Sequence, residues 1–253
     1  MDLPPVSCAC LTYGRPHVLE EAIESFLRQD YAGEKELLIL NDFDKQELHF
    51  DHPQVKVVNV NKRFKTIGEK RNASVALCSH DNIFVWDDDD IYLPHRISLS
   101  MKKLTKEMPF FKTSNAFFLN IGQMSIKSNL FHSSSCWRRE LFNDVKGYLA
   151  IDSGQDYELE QEMGGLLEGL AVGTDVDAVE MYYIYRWAHT KSYHLSDFGR
   201  DNPEALKQIE HAIESHVACG LIKSGKINLN PAWREDYIKI SEECLKRHYS
   251  VRG

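Results

Sequence analysis

Apolar residues in this chain fall into two textures. Up to about residue 107, short unbroken apolar runs alternate with stretches whose apolar residues recur at helical spacing. Residues 6–11 read as a first strand, broken by Thr12-Tyr13-Gly14-Arg15-Pro16. A helix follows, with Leu19, Ala22, Ile23, Phe26 and Leu27 on one face and Pro16 near its start. Further buried strands are predicted at 36–40, 55–60 and 83–86, and further helices at 68–76 and 94–106. Strand and helix in this alternation predict right-handed βαβ units and a mostly parallel sheet flanked by helices. After Met108 the texture changes. Residues 110–121 and 124–135 alternate apolar with polar around Gly122-Gln123, which predicts a small antiparallel element. A short helix is expected at 141–147, an amphipathic helix at 157–167 and a Tyr-rich strand at 178–187. Two helices, 203–219 and 231–248, close the chain. No repeat or linker interrupts it. Residues 1–200 are expected to form a catalytic domain, with 1–107 and 108–200 as its halves, and 201–253 a helical extension of it.

The 253 residues carry a net charge of −8, which speaks against a protein living on non-specific contact with nucleic-acid phosphates. No apolar stretch approaches the length of a membrane-spanning helix, about 20 residues. The first residues, Met-Asp-Leu-Pro-Pro, do not read as a secretory signal. The six cysteines show no zinc-type spacing, and Cys8 and Cys10 should face the same side of a core. Reduced thiols and a cytoplasmic location are the expectation.

The densest chemistry is Asp87-Asp88-Asp89-Asp90, set between Ile83-Phe84-Val85-Trp86 and Ile91-Tyr92-Leu93-Pro94. Four carboxylates leaving the carboxyl end of a buried strand point at the crevice where open α/β sheets bind ligands. A hard divalent cation holding substrate phosphates is a natural counter-charge. Three other segments sit at strand ends or a helix start. Thr12-Tyr13-Gly14-Arg15 forms a turn whose Tyr13 suits stacking on a base. Asp42 follows the second strand and suits a ribose or base. Thr66-Ile67-Gly68-Glu69-Lys70-Arg71 puts a glycine and two cations where phosphate binds well.

In this order and spacing the four segments resemble nucleotide-sugar-dependent glycosyltransferases of the GT-A fold, most like glycosyltransferase family 2. The matching stretches are CLTYGRP, ILNDFD, GEKRN, VWDDDDIYLP, CWRRELFNDVKGY and SGQDYEL. Gly14, Asn41, Phe43 and Gln155 depart from the family's usual residues. The resemblance implies an inverting, metal-dependent transfer from a nucleoside diphosphate sugar, UDP-linked for preference, to a hydroxyl. That acceptor could be a saccharide, a lipid-linked glycan, a protein or a modified nucleic-acid base. Mn²⁺ or Mg²⁺ would sit on Asp89 and Asp87, with His194, and less readily His189, as a further ligand or phosphate contact. Thr12, Tyr13, Arg15, Asp42, Gly68, Arg71, Asp87 and Asp88 would line the nucleotide site, and Asp90 would cap the next helix. Asp156 matches the family's general base. Glu158 is its neighbour, turned about 200° away on a helix. Trp137, Arg138 and Trp187 are candidates for an acceptor pocket. Two rivals stand beside this reading. A nucleotidyltransferase would carry a richer glycine loop than Thr12-Tyr13-Gly14-Arg15-Pro16. A non-catalytic metal- or sugar-binding module gives Asp156 no role, and an EF-hand would need glycine where Tyr92 stands.

Overall fold

Val6, Cys8 and Cys10 are fully buried on one side of the first strand, and Ala9 packs on the other. A strand with two apolar faces belongs in the middle of a sheet with helices on both sides. The computed structural model describes residues 3–129, 131–167, 180–187 and 203–250. Its elements, in chain order, are β1 (Val6–Thr12), α1 (Pro16–Leu27), β2 (Lys35–Asn41), β3 (Gln46–His49), β4 (Val55–Asn59), α2 (Ile67–Leu77) and β5 (Asn82–Val85). Next come β6 (Ile91–Tyr92), α3 (Arg96–Lys103), β7 (Phe110–Phe111), β8 (Asn115–Asn120), β9 (Gln123–Ser128), β10 (Cys136–Arg138) and α4 (Arg139–Asp144). The last are α5 (Gln155–Leu166), β11 (Tyr183–Trp187), α6 (Pro203–Ala218), β12 (Gly225–Asn228) and α7 (Tyr237–Ser250).

The main sheet runs β4-β2-β1-β5-β10-β7. Its β4, β2, β1 and β5 are mutually parallel, and β10 is antiparallel to both its neighbours. A second sheet runs β6-β11-β8-β9. The acidic run lies where the chain leaves β5 of the first sheet and enters β6 of the second. That step is held by the Trp86 indole N–H, which donates to Ala22 O at 3.0 Å, and by the Asp87 N–H, which donates to the Tyr92 hydroxyl at 2.8 Å.

The expected hairpin exists in shortened form. Phe110 and Phe111 belong to the main sheet, and the chain changes sheets at Lys112 and Thr113. Lys112 turns inward to Glu160 at 2.6 Å, and the Asn129 amide donates to Thr113 O at 2.6 Å. These polar groups stop one strand and start the next. Residues 132–134 form a 3₁₀ turn instead of continuing β9. The last helix begins at Tyr237 rather than 231, because Asp236 supplies its cap: its carboxylate accepts from the Lys239 N–H at 3.1 Å. The pair β3 and β12 is not apparent in the hydrophobic pattern. Each has four residues and little apolar surface, and they pair in parallel across a long sequence gap. No described helix is long and apolar enough to cross a membrane. All six cysteines are free.

Candidate active site

Loops together with the N-terminal parts of α2 and α5 and residues of β8 and β11 meet over the carboxyl ends of β1 and β5 and enclose a cavity of about 500 Å³. Among the described residues its lining includes the carboxyl groups of Asp87, Asp88, Asp89, Asp90, Asp152 and Asp156 and the guanidinium groups of Arg15 and Arg71. A wall of Phe118, Phe131, Tyr185 and Trp187 is also part of the lining. Phe131 and Tyr185 stack at 4.0 Å between ring centres, and Phe118 stacks on Tyr185 at 5.8 Å.

The four aspartates of the turn have different partners. Asp88 is fully buried and grips Arg15 through both its oxygens. Burial pushes its carboxyl up to about 6 although Arg15 pulls the other way. Asp89 takes the second arm of Arg15 at 2.8 Å. Asp87 is partly exposed, accepts from the Ser133 hydroxyl at 2.6 Å and faces Arg71 at 3.6 Å. Asp90 does not cap a helix. It accepts from the Tyr183 hydroxyl at 2.6 Å and from the Arg186 N–H at 3.0 Å, which ties β11 to the turn. Burial, with Asp89 and Asp87 beside it, pushes the Asp90 carboxyl well above the usual range. The following helix starts only at Arg96, after His95. So the protein's own Arg15 answers part of the negative charge for which the sequence suggested a cation.

The structure brings Arg15, Arg71, Asp87, Asp88, Asp89, Asp156 and Trp187 together around one cavity. It takes other candidates elsewhere. Asp42 is buried, with one oxygen on Lys70 Nζ at 2.5 Å and the other accepting from the Phe64 N–H at 3.1 Å. Thr12 is buried too, and its carbonyl accepts from the same Lys70 at 2.7 Å. Tyr13 packs on Phe43 at 4.8 Å, and the Arg63 guanidinium covers its ring at 4.3 Å. Gly68 does not offer its amide to phosphate, because that amide donates to Ile151 O at 3.2 Å. Its neighbour Ile67 N–H donates to Asp152 at 3.0 Å. Gly68 is needed for close approach: a Cβ there would lie 1.8 Å from Leu149 O. Gly68→Ala should therefore destabilise by about 1–3 kcal/mol or more, read as a lower urea midpoint. A variant as stable as the parent would remove the packing argument.

Trp137 and Arg138 do not line the cavity. Trp137 is fully buried, stacked between His132 at 5.5 Å and Phe142 at 5.9 Å. Arg138 faces a separate hollow on the far side with Asp81, Glu140 and Asp144. The reason is local. β10 pairs with β5 and β7, and Arg139 next to it caps α2, donating to the carbonyls of Val75, Cys78 and His80 at 2.7–2.9 Å. Glu158 is half-buried and away from the cavity. His189 and His194 lie outside the described residues.

Sequence reasoning missed His132, Ser133 and Glu160. They are buried polar residues whose partners are far along the chain, so no local motif marks them. Glu160 receives Lys112 Nζ at 2.6 Å, His132 Nδ1 at 2.8 Å and the Ser135 hydroxyl at 2.8 Å. Burial alone would raise its carboxyl, and His132 and Lys112 outweigh that, bringing it to about 2.

Among the described residues, no three His, Cys, Asp or Glu side chains converge as a ready-made metal cage. The donor set still fits a hard cation of the kind that uses one or two carboxylates and completes its shell with substrate phosphates and water. Asp87 and Asp89 would be those carboxylates.

With this geometry in view, the similarity to known proteins is clear. Residues 7–152 match Glycosyl transferase family 2, and the chain belongs to that family. It is 28% identical over 171 residues to the uncharacterized glycosyltransferase YwdF of Bacillus subtilis (strain 168), across 58% of this chain and 62% of that protein. The match therefore spans about six tenths of that relative's length. Its fold is similar to that of S. aureus TarS 1-349, with a TM-score of 0.56 at 14% identity, covering 99% of this chain and 72% of that one. The complex of TarS 1-349 with UDP-GlcNAc gives 0.59 at 15% identity, covering 99% and 73%. These are GT-A folds, as the β4-β2-β1-β5 parallel core leads one to expect.

Proposed function

We propose that this chain transfers a sugar from a nucleoside diphosphate sugar, UDP-linked, to a hydroxyl acceptor with inversion at the anomeric carbon. One observation carries the proposal. The cavity opens at the carboxyl ends of β1 and β5 and is lined by Arg15, Arg71, the acidic turn and Asp156 on the N-terminal turn of α5. Membership of Glycosyl transferase family 2 gives that arrangement its chemistry.

Arg71 is largely buried, and its Nε has no hydrogen-bond partner among the described residues. A donor held in that state suits an incoming anionic oxygen. Among the described residues the lining is richer in carboxyl groups than in guanidiniums, so a diphosphate would be better held with a further positive charge beside it. A Mn²⁺ or Mg²⁺ ion held by Asp87 and Asp89 would supply that charge and act as a Lewis acid on the leaving diphosphate. Leu11 and Ile67 give the cavity apolar lining for the nucleoside. Asp156 would accept the proton of the acceptor hydroxyl as its oxygen bonds to the anomeric carbon and the bond to the diphosphate breaks. The wall of Phe118, Phe131, Tyr185 and Trp187 suits the flat apolar face of a saccharide, so a sugar hydroxyl is the acceptor we favour. A cytoplasmic setting agrees with six unpaired cysteines.

A panel of nucleoside diphosphate sugars with Mn²⁺ or Mg²⁺ tests this, and the TarS complex makes UDP-GlcNAc the first donor to try. We expect nucleoside diphosphate release from one uridine-linked donor, accelerated by a saccharide acceptor. Release from none of them, with pyrophosphate formed from a nucleoside triphosphate, would turn the reading to a nucleotidyltransferase.

A further inference from the structure

From the cavity lining at His132 and Arg71 a chain of polar contacts, which the proposed transfer does not itself require, runs into the core. Lys112 Nζ donates to Glu160 Oε2 at 2.6 Å, and the other oxygen of Glu160 meets His132 Nδ1 at 2.8 Å. A carboxylate only accepts, so Nδ1 carries the hydrogen. In the neutral ring Nε2 is then an acceptor, and the Tyr148 hydroxyl lies 2.7 Å from it. Tyr148 donates there and turns its lone pairs toward Arg71, whose guanidinium lies 5.6 Å from the tyrosine ring centre and acts on its hydroxyl. The Tyr148 backbone is clamped on both sides by the Asn72 side chain, at 2.8 and 2.9 Å. The His132 ring is held from behind by its stack on Trp137.

This chain connects α5, which carries Glu160 and Asp156, to Arg71 on α2. Glu160 is four residues after Asp156 on α5, so both project from one face of the helix. Arg71 lines the cavity and lies 3.6 Å from Asp87. We infer that Glu160, His132 and Tyr148 form a positioning relay that sets Asp156 on α5 and Arg71 on α2 relative to each other. None of the three touches the reacting atoms. The inference rests on the donor reading above.

The test uses the full chain with Tyr148→Phe and Glu160→Gln, singly and combined. Tyr148→Phe keeps the ring packing and removes one hydroxyl, so it serves if Glu160→Gln does not fold. Misplacement should lower kcat of the folded enzyme about 10–100-fold, and because Arg71 keeps its charge in both variants, affinity for UDP should fall by less than kcat does. The double variant should be no slower than the slower single one, because both cut the same relay. A residue that only supports the fold would lower the melting temperature and leave kcat alone. Unchanged kcat in Tyr148→Phe, or a double variant whose loss is the product of the two single losses, overturns the relay while the donor reading stands. A parent enzyme that releases no nucleoside diphosphate from any donor overturns both, and is recognised before any variant is compared.

Discussion

Asp156→Asn is expected to lower turnover by about 10²–10⁴-fold, the usual value of a positioned base, while UDP binds the variant about as well as the parent. Asparagine keeps the shape of the side chain and its hydrogen bonds but cannot take the proton of the acceptor hydroxyl. Asp156 follows Gly154, whose left-handed backbone (φ +81°) opens α5, and Asp156 accepts from the Tyr157 N–H at 2.9 Å. That places it in the first turn with its carboxylate on the cavity. Glu158, two residues on, points away, so Glu158→Gln should change turnover little. Steady-state rates of both variants beside calorimetric titration with UDP decide the matter. A dead Glu158→Gln with an active Asp156→Asn would reverse the assignment.

Excess chelator is expected to abolish turnover of the parent enzyme, and Asp89→Ala to do the same in the presence of metal. Losing even about 3 kcal/mol of charge stabilisation on the leaving diphosphate slows the reaction about 100-fold. The variant has a second effect, because Asp89 also holds one arm of Arg15 at 2.8 Å. The chelator experiment on the parent has no such ambiguity. Full turnover in chelator would assign charge neutralisation to Arg15 and Arg71 alone and remove the cation from the account.

Much of the architecture was legible because its signals are local. Two-faced apolar strands at 6–11, 36–40 and 83–86 and the helix beginning at Pro16 appear where the pattern puts them. The acidic run was legible for the same reason, since four adjacent carboxylates at a strand end need partners. Which partners they have was not legible. Arg15, Ser133 and Tyr183 reach Asp88, Asp87 and Asp90 from 46 to 93 residues away in the chain. The same limit explains Asp42 and Gly68. Both occupy motif positions that suggested nucleotide contact, and the partners they have in the fold, Lys70 for Asp42 and the loop carrying Leu149 and Ile151 for Gly68, come from far along the chain. The motif type did not reveal that Trp137 faces the core, because its burial depends on β10 inserting between β5 and β7. Asn41, which departs from the family's usual aspartate, holds its own turn together. Its amide donates to Gln46 O and Asn59 Oδ1, and its oxygen accepts from the Phe43 N–H.

The central claim is a single displacement at the anomeric carbon, with Asp156 as base and the diphosphate leaving over the acidic turn. The anomeric configuration of the first-formed product tests it most directly. With the accepted UDP-sugar, an α-linked donor, and water or a saccharide as acceptor, proton NMR recorded before mutarotation should show the β-anomer. First-formed α-product would mean retention, which a single attack assisted by Asp156 does not produce, and would contradict the account.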